Sequence, residues 1–247
     1  MNKKLFCTRL TSIFLLAALS LLSACSDAEE NASKNNIEAA PVIQEQVVTT
    51  EQTGKTVVVL KDVTGLYKEL PTAQPTSTGE KIEIVEIFWY GCPHCYLFEP
   101  VIEKWLEEKA EYIEFVRMPG ILGKNWLPHA RAFYAAEKLG VLDIIHKPLF
   151  DAIHKDKRKI IDEKSLRVFF SEHGVSGDKF DQAYNSSEVE EKVRAAFTAG
   201  QGYALTGVPA IIINGKYGTS ASVAGDFNKI IDVINTLAAK EYKKLTE

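Results

Sequence analysis

Two cysteines separated by two residues, Cys92-Pro93-His94-Cys95, are the part of this 247-residue chain whose types and spacing point to chemistry. Such a pair can hold zinc, attach haem, staple the chain or exchange electrons, and each use demands different neighbours. Haem attachment needs a histidine directly after the second cysteine, where this chain has Tyr96. A closed zinc site needs two more ligands, and neither a second Cys-x-x-Cys nor a His-x-x-x-His occurs. A staple across so short a loop restricts the unfolded chain little. A redox dithiol is the leading reading, with copper held by both thiolates and His94 as the minor alternative.

The compartment favours redox use. Lys3, Lys4 and Arg9 flank an apolar run, Leu10 to Leu22, that is too short to span a bilayer comfortably and reads as an export signal over residues 1–24. Its end, Leu22-Ser23-Ala24-Cys25, resembles the lipobox of bacterial lipoproteins, in which the cysteine is lipidated and becomes the first mature residue. An ordinary cleavage site would prefer a small residue where Leu22 stands. Cys7 then leaves with the signal and Cys25 carries lipid, so Cys92 and Cys95 are the thiols free to pair. In an oxidising compartment a lone dithiol of this spacing is a redox site before it is a structural bridge. Ser26 and Asp27 follow the lipidated position, and the sorting code that reads them differs among bacteria, so anchorage is assigned without choosing the inner or outer membrane.

The elements around the dithiol follow from periodicity. Residues 26–55 are polar, lack aromatics and show no regular apolar spacing, the signature of a disordered tether that reaches roughly 30 Å. Folded structure is expected over 56–122, with short strands at Thr56 to Leu60 and Tyr67 to Leu70. The nearly continuous apolar run Ile82 to Trp89, interrupted by Glu83 and Glu86, predicts a central strand buried on both faces. This strand delivers the dithiol. Tyr96 to Lys109 carries Leu97, Val101, Trp105 and Leu106 at helical spacing, with Pro93 suited to the first turn and Pro100 predicting a kink. Tyr112 to Met118 alternates and predicts a second strand, which closes a right-handed strand-helix-strand unit.

From 123 to 186 the punctuation changes to short helices: Leu127 to Leu139, Val141 to His154, Glu163 to His173 capped by Asp162, and a helix opened by Ser176. We read an all-helical insertion. The sheet resumes over 187–247, with Ser187 and Glu190 at capping-box spacing for a helix running to about Gln201. A hairpin follows across Asn214-Gly215, and a last helix capped by Asp226 carries Phe227, Ile230, Ile231, Ile234, Leu237 and Ala238 as one stripe. The order is that of an α/β sheet interrupted once. Trp105, Trp126, Phe133, Phe169 and Phe170 read as packing residues, and His129, His146, His154 and His173 as surface or helix-end residues. A net charge of −4 with scattered Lys and Arg excludes a nucleic-acid partner.

Cys-Pro-His-Cys after a strand ending in Phe88-Trp89-Tyr90, a helical insertion, and then Gly207-Val208-Pro209 before a hairpin together resemble the DsbA family of bacterial thiol:disulfide oxidoreductases. The resemblance runs from about Tyr67 to the C-terminus. It implies a thioredoxin fold with an inserted helical domain, Cys92 as nucleophile, Cys95 as resolving partner, and Val208-Pro209 beside the disulfide with Pro209 cis. It also implies a periplasmic protein that needs no cofactor beyond the disulfide. Its partners would be reduced secreted or envelope polypeptides and a quinone-linked membrane oxidase of the DsbB type. Isomerases of this kind dimerise through an added N-terminal domain, for which 26–55 is too polar, so a monomer is expected; an isomerase or reductase is the alternative on the same fold.

Physical chemistry supports these residue types. A helix dipole contributes at most about 2 kcal/mol, or roughly 1.5 pH units of acidification. A more acidic Cys92 therefore needs direct hydrogen bonds to sulfur or help from His94; Pro93 and His94 are the tuning residues because they lie inside the redox ring. Glu86 shares a strand face with Ile84 and Phe88, where a buried carboxylate is costly. The family carries an acidic residue there, which suggests proton handling for Cys95. The family's basic partner would fall near Glu111, so the resemblance supplies no counter-charge. Trp89, Tyr90, Tyr96 and Val208 are expected to form an apolar rim.

Overall fold

The computed structural model describes residues 60–247. The export signal, Cys25, the tether and most of the Thr56 to Leu60 strand lie outside the described residues.

Three short antiparallel strands line one side of a pair of longer parallel ones. β1 is Lys68–Glu69, β2 Ile82–Phe88, β3 Ile113–Pro119, β4 Ala210–Ile213 and β5 Tyr217–Ser220. They form one sheet in the order β1-β5-β4-β2-β3, in which β2 and β3 are parallel and the other pairs antiparallel. All seven residues of β2 are buried, as a strand covered on both faces requires. Its parallel partner obliges a crossover, supplied by α1, Pro93–Glu108. Pro100 lies on the exposed face of α1, where the carbonyl deprived of its helical donor can be solvated, and the helix runs on past it.

Alternation along β2 separates two apolar clusters. Ile82 and Ile84 pack with Phe98, Ile102 and Trp105 of α1 and with Ile230, Ile234 and Leu237 of α8, Phe227–Thr246. Val85 and Ile87 face the opposite way and join the core of the helical insertion. That insertion comprises a single 3-10 turn at Lys124–Trp126, then α2, Leu127–Lys138, α3, Leu142–His154, α4, Glu163–Glu172, and α5, Gly177–Tyr184. Phe133, Phe150, Phe169, Phe170 and Phe180 are among its buried aromatics. α6, Ser187–Gly202, returns the chain to the sheet, and a one-turn helix α7, Ala221–Ala224, not legible in the pattern, precedes α8. The architecture is a thioredoxin fold with an inserted helical domain. Among the described residues no helix is long and apolar enough to cross a membrane.

Local signals landed within a residue or two. Asp162 caps α4 through the Ser165 amide, and Asp226 caps α8 through that of Lys229. The cap of α6 is Ser186 and not Ser187, since the Ser186 hydroxyl accepts the Val189 amide; Glu190 instead pairs with Arg131. Asn214 and Gly215 both take positive φ, +50° and +62°, the conformation the hairpin turn between β4 and β5 needs.

One buried carboxylate ties the last helix to this hairpin. Glu241 is 1% exposed and accepts hydrogen bonds from Tyr217 Oη at 3.1 Å, Asn214 Nδ2 at 3.3 Å and Lys244 Nζ at 2.7 Å, as well as from Lys216. Burial alone would raise its pKa, but these donors, Lys216 first, hold it down to about 2. Both lysines are about half exposed, so solvent screens much of their attraction. Glu241→Gln should lower unfolding free energy at pH 7 by about 1–2 kcal/mol. A group with a depressed folded pKa stabilises above its ordinary value and loses that contribution as pH falls toward the folded one. The deficit should therefore vanish between about pH 4.5 and pH 2, as urea denaturation at each pH would show.

Candidate active site

β2 ends at Phe88, and the chain turns through Trp89-Tyr90-Gly91 to place Cys92 at the N-cap of α1. The turn is closed by the Cys92 amide donating to the Trp89 carbonyl at 2.9 Å. Gly91 is needed there, because a Cβ would sit 2.3 Å from the Trp89 ring. Cys92 is extended at φ −91° and ψ 117°, with Pro93 at the first helical position, where its missing N–H loses no bond. The Cys92 side chain makes no capping bond to the backbone in the way a serine would. Its sulfur lies instead where the free amides of the first turn converge.

Two segments distant in sequence meet at this sulfur. Cys92 Sγ donates to the Val208 carbonyl at 3.5 Å, and Val208 precedes Pro209 through a cis peptide. Cys95, fully buried one turn into α1, donates to Cys92 from its own thiol. Pro93 and His94 are exposed, and Leu97 beside them on α1 is 58% exposed, a rim residue that periodicity assigned to packing.

The two thiols are driven apart in acidity. The hydrogen bond from Cys95 lowers the Cys92 thiol most; burial opposes it, and the Cys95 and His94 amides and the His94 side chain add to the lowering. The result is a pKa of about 6 against an ordinary value of 9. This fall is larger than a helix dipole alone provides, so the direct bonds to sulfur carry it. Cys95 moves the other way, raised first by burial and then by the hydrogen bond it gives to Cys92. At neutral pH the pair is a thiolate at Cys92, which is 8% exposed, and a thiol at the fully buried Cys95.

Behind Cys95 lies a charge cluster that the sequence pattern did not reveal. Glu86 is fully buried in β2; its Oε2 accepts from Arg117 Nε at 3.1 Å and its Oε1 has no hydrogen-bond partner. Arg117 Nη2 also donates to Glu99 Oε2 at 3.1 Å. Glu99 Oε1 accepts from His146 Nε2 at 3.4 Å, and Tyr90 Oη donates to His146 Nδ1 at 2.8 Å. The counter-charge of Glu86 is thus Arg117, its register partner on β3, not a residue near Glu111. One guanidinium cannot neutralise two carboxylates. Burial first, and then repulsion from Glu99, raise the Glu86 pKa well above the usual carboxylate range. Glu99 ends below its ordinary value, since the bond from His146 and the Arg117 charge outweigh its burial.

Of the four histidines expected at the surface or at helix ends, His154 ends α3 and His173 caps the C-terminus of α4 as expected, whereas the other two depart from it. His129 and His146 are buried, His129 donating to the Ile160 carbonyl at 2.6 Å. His154 is half-buried, donates to the Tyr90 carbonyl at 2.7 Å and stacks on Tyr96. Each lies on the inward side of a helix whose apolar pattern the imidazole interrupts, which disguised it as a polar position. Tyr90 is likewise core and not rim, held among Phe88, Phe150 and these rings. Trp89 stays half-buried, stacked on Trp126 at 4.4 Å.

Known proteins resemble this chain in sequence and fold. The family model for a DSBA-like thioredoxin domain matches residues 110–229. A thiol:disulfide interchange protein DsbA of Azotobacter vinelandii is 39% identical over 175 residues, spanning 71% of this chain and 82% of that protein. The chain belongs to the DsbA family. The Pseudomonas aeruginosa DsbA is 38% identical over 71% of this chain and 83% of its own length. A crystal structure of P. aeruginosa DsbA superposes with a TM-score of 0.70 at 36% identity, covering 74% of this chain and 95% of that one. That of DsbA from Xylella fastidiosa does so at 0.66 and 34%, covering 71% and 94%. As a DsbA-family enzyme the protein is a thiol:disulfide oxidoreductase.

Proposed function

We propose that this enzyme donates the Cys92–Cys95 disulfide to reduced secreted or envelope polypeptides. The observation that carries the reading is the placement of Cys92 at the N-cap of α1 with the buried Cys95 thiol directed at its sulfur, an arrangement that lowers the Cys92 thiol. Stabilising this thiolate stabilises the reduced enzyme and so makes its disulfide a strong oxidant; the same thiolate is the better leaving group. In the cycle a substrate thiolate attacks Cys92 of the disulfide, which releases Cys95 as a thiolate that takes up a proton. The substrate's second thiolate then attacks its own sulfur in the mixed disulfide and expels the Cys92 thiolate. Two substrate thiols are oxidised and the enzyme disulfide is reduced.

Glu86, protonated and with one oxygen unpartnered, is the group we assign to hand that proton to Cys95. His94 and Pro93 tune Cys92 from within the ring, and the Val208 carbonyl beside cis Pro209 accepts from the Cys92 thiol only while that sulfur is protonated. The apolar surface for an unfolded substrate includes Leu97 and a shallow groove of about 400 Å³ between Leu122, Leu127, Val193 and Phe197. Ile121 on the edge of the groove follows Gly120, which lies close to Val208. We further assign a periplasmic monomer anchored by lipidated Cys25 and reoxidised by a DsbB-type quinone-linked protein. The disulfide itself is the cofactor.

The test is the equilibrium of the dithiol against graded glutathione, with thiolate absorbance followed against pH. A strongly oxidising couple and a Cys92 midpoint near pH 6 are expected. A reducing, thioredoxin-like couple with a midpoint above pH 7 would transfer the protein to the reductase or isomerase reading.

A further inference from the structure

His146 is a buried titratable group that the proposed cycle does not use. It comes from α3 in the helical insertion, yet it reaches across to Glu99 on α1 and to Tyr90 between β2 and α1. Its partners fix its tautomer. The Glu99 carboxylate can only accept, so Nε2 carries the hydrogen and Nδ1 receives the Tyr90 hydroxyl. Burial lowers its pKa and keeps the ring neutral at pH 7. Of the remaining faces, Phe88, Phe133 and Phe150 present aromatic carbon. The other charged groups that act on it are Arg117 from β3 and Glu103 on α1.

The consequence is an asymmetry between two carboxyls that share one arginine. Glu99 has donors on both oxygens, Arg117 on one and His146 on the other. Glu86 has Arg117 alone, and its second oxygen is bare. A buried carboxylate with both oxygens satisfied keeps its charge; one with a bare oxygen keeps a proton there. We propose that His146 is a positioning residue that selects Glu99 as the ionised member of the pair and so stores the exchangeable proton on Glu86, beside Cys95. The helical insertion thereby contributes one polar contact that governs which carboxyl behind the dithiol is loaded. This inference rests on the assignment of Glu86 as proton donor to Cys95, and extends it to the residue that keeps Glu86 protonated.

Carbon-13 titration of the glutamate carboxyls in the full-length reduced protein reads the distribution directly. In the wild type Glu86 should titrate at the higher pH and Glu99 at the lower. In His146→Phe the two midpoints should approach each other by at least about one pH unit, because only Arg117 then distinguishes them. His146→Gln, whose amide can donate to Glu99 and accept from Tyr90, should restore most of the separation. Should His146→Phe not fold, Tyr90→Phe frees the tautomer without removing the ring and should shift both midpoints in the same sense by a smaller amount. Unchanged midpoints in folded His146→Phe, or in Tyr90→Phe where His146→Phe does not fold, would overturn the proposal. Failure of the disulfide-donor reading is seen separately, as a reducing wild-type equilibrium with glutathione whatever the carboxyls do.

Discussion

Cys95→Ser should abolish turnover while leaving Cys92 able to form a disulfide with a small partner. Glutathione disulfide offered to the reduced variant should be attacked by the Cys92 thiolate, giving a Cys92–glutathione mixed disulfide and one glutathione thiolate. Serine cannot expel that glutathione, so the adduct should persist, located at Cys92 by peptide mapping. Transfer of a disulfide to a reduced peptide should fall by about three orders of magnitude or more, as when one member of a concerted pair is removed. Because the Cys95 hydrogen bond is the largest lowering influence on Cys92, the thiolate midpoint should also rise above 6. A serine hydroxyl can still donate, so the rise should be partial. Cys92→Ser should show no adduct at all, since Cys95 is fully buried and its thiol is held protonated. Wild-type turnover from Cys95→Ser, or a stable adduct on Cys95 in Cys92→Ser, would overturn the division of labour between the two sulfurs.

Arg117→Met should be the most destabilising single change in the charge cluster. It would leave Glu86 and Glu99, 0% and 4% exposed, without their shared counter-charge. Removing one partner of a buried ion pair costs about 3–5 kcal/mol, because the orphaned charge has lost its solvation as well as its mate. Both carboxyls would then be protonated in the folded state and ionised in the unfolded state at pH 7. An acid whose folded pKa is raised lets stability fall as pH climbs from its ordinary value toward the folded one. The deficit of Arg117→Met should accordingly shrink as pH drops from 7 toward about 4.5, the ordinary glutamate value. Adding Glu99→Gln should recover part of the loss at pH 7 and flatten this dependence. Chemical denaturation across that range decides the matter; a deficit below about 1 kcal/mol, or one independent of pH, would show that Arg117 is not the counter-charge.

The two experiments probe different layers of one site. The sulfurs are handled by elements local to the dithiol: the first turn of α1, the His94 ring and the Val208 carbonyl. The proton that must meet Cys95 is handled from beneath by β2, β3 and α3. Among the described residues, the group that joins these layers is Glu86, whose ionised form raises the Cys95 thiol and whose protonated form holds the proton that Cys95 needs.

Residues 82–119 and 207–221 were legible in the sequence because their signals are local. An unbroken apolar strand, a proline at a helix start, capping Asp162 and Asp226, and an Asn-Gly turn each restrict the backbone within a few residues. Cys92 and Cys95 lie three positions apart on one helix turn, so their proximity is settled by local structure, and family resemblance placed Val208-Pro209 beside them. The wider charge system could not be read this way. Glu86, Glu99, Arg117 and His146 are separated by 13 to 60 positions and lie on four elements. Glu86 stands out locally as a carboxylate inside an apolar strand, but nothing within a window of their own neighbours distinguishes Glu99, Arg117 and His146 from solvated polar residues. Arg117 becomes the partner of Glu86 only when β3 pairs with β2 in parallel register, and His146 reaches Glu99 only once α3 packs against α1. The sequence by itself thus determined which atoms can exchange electrons, since that depends on residue type and short spacing. Tertiary packing decided where the buried charge and the buried proton reside, since desolvation and pairing exist only after distant elements have come together.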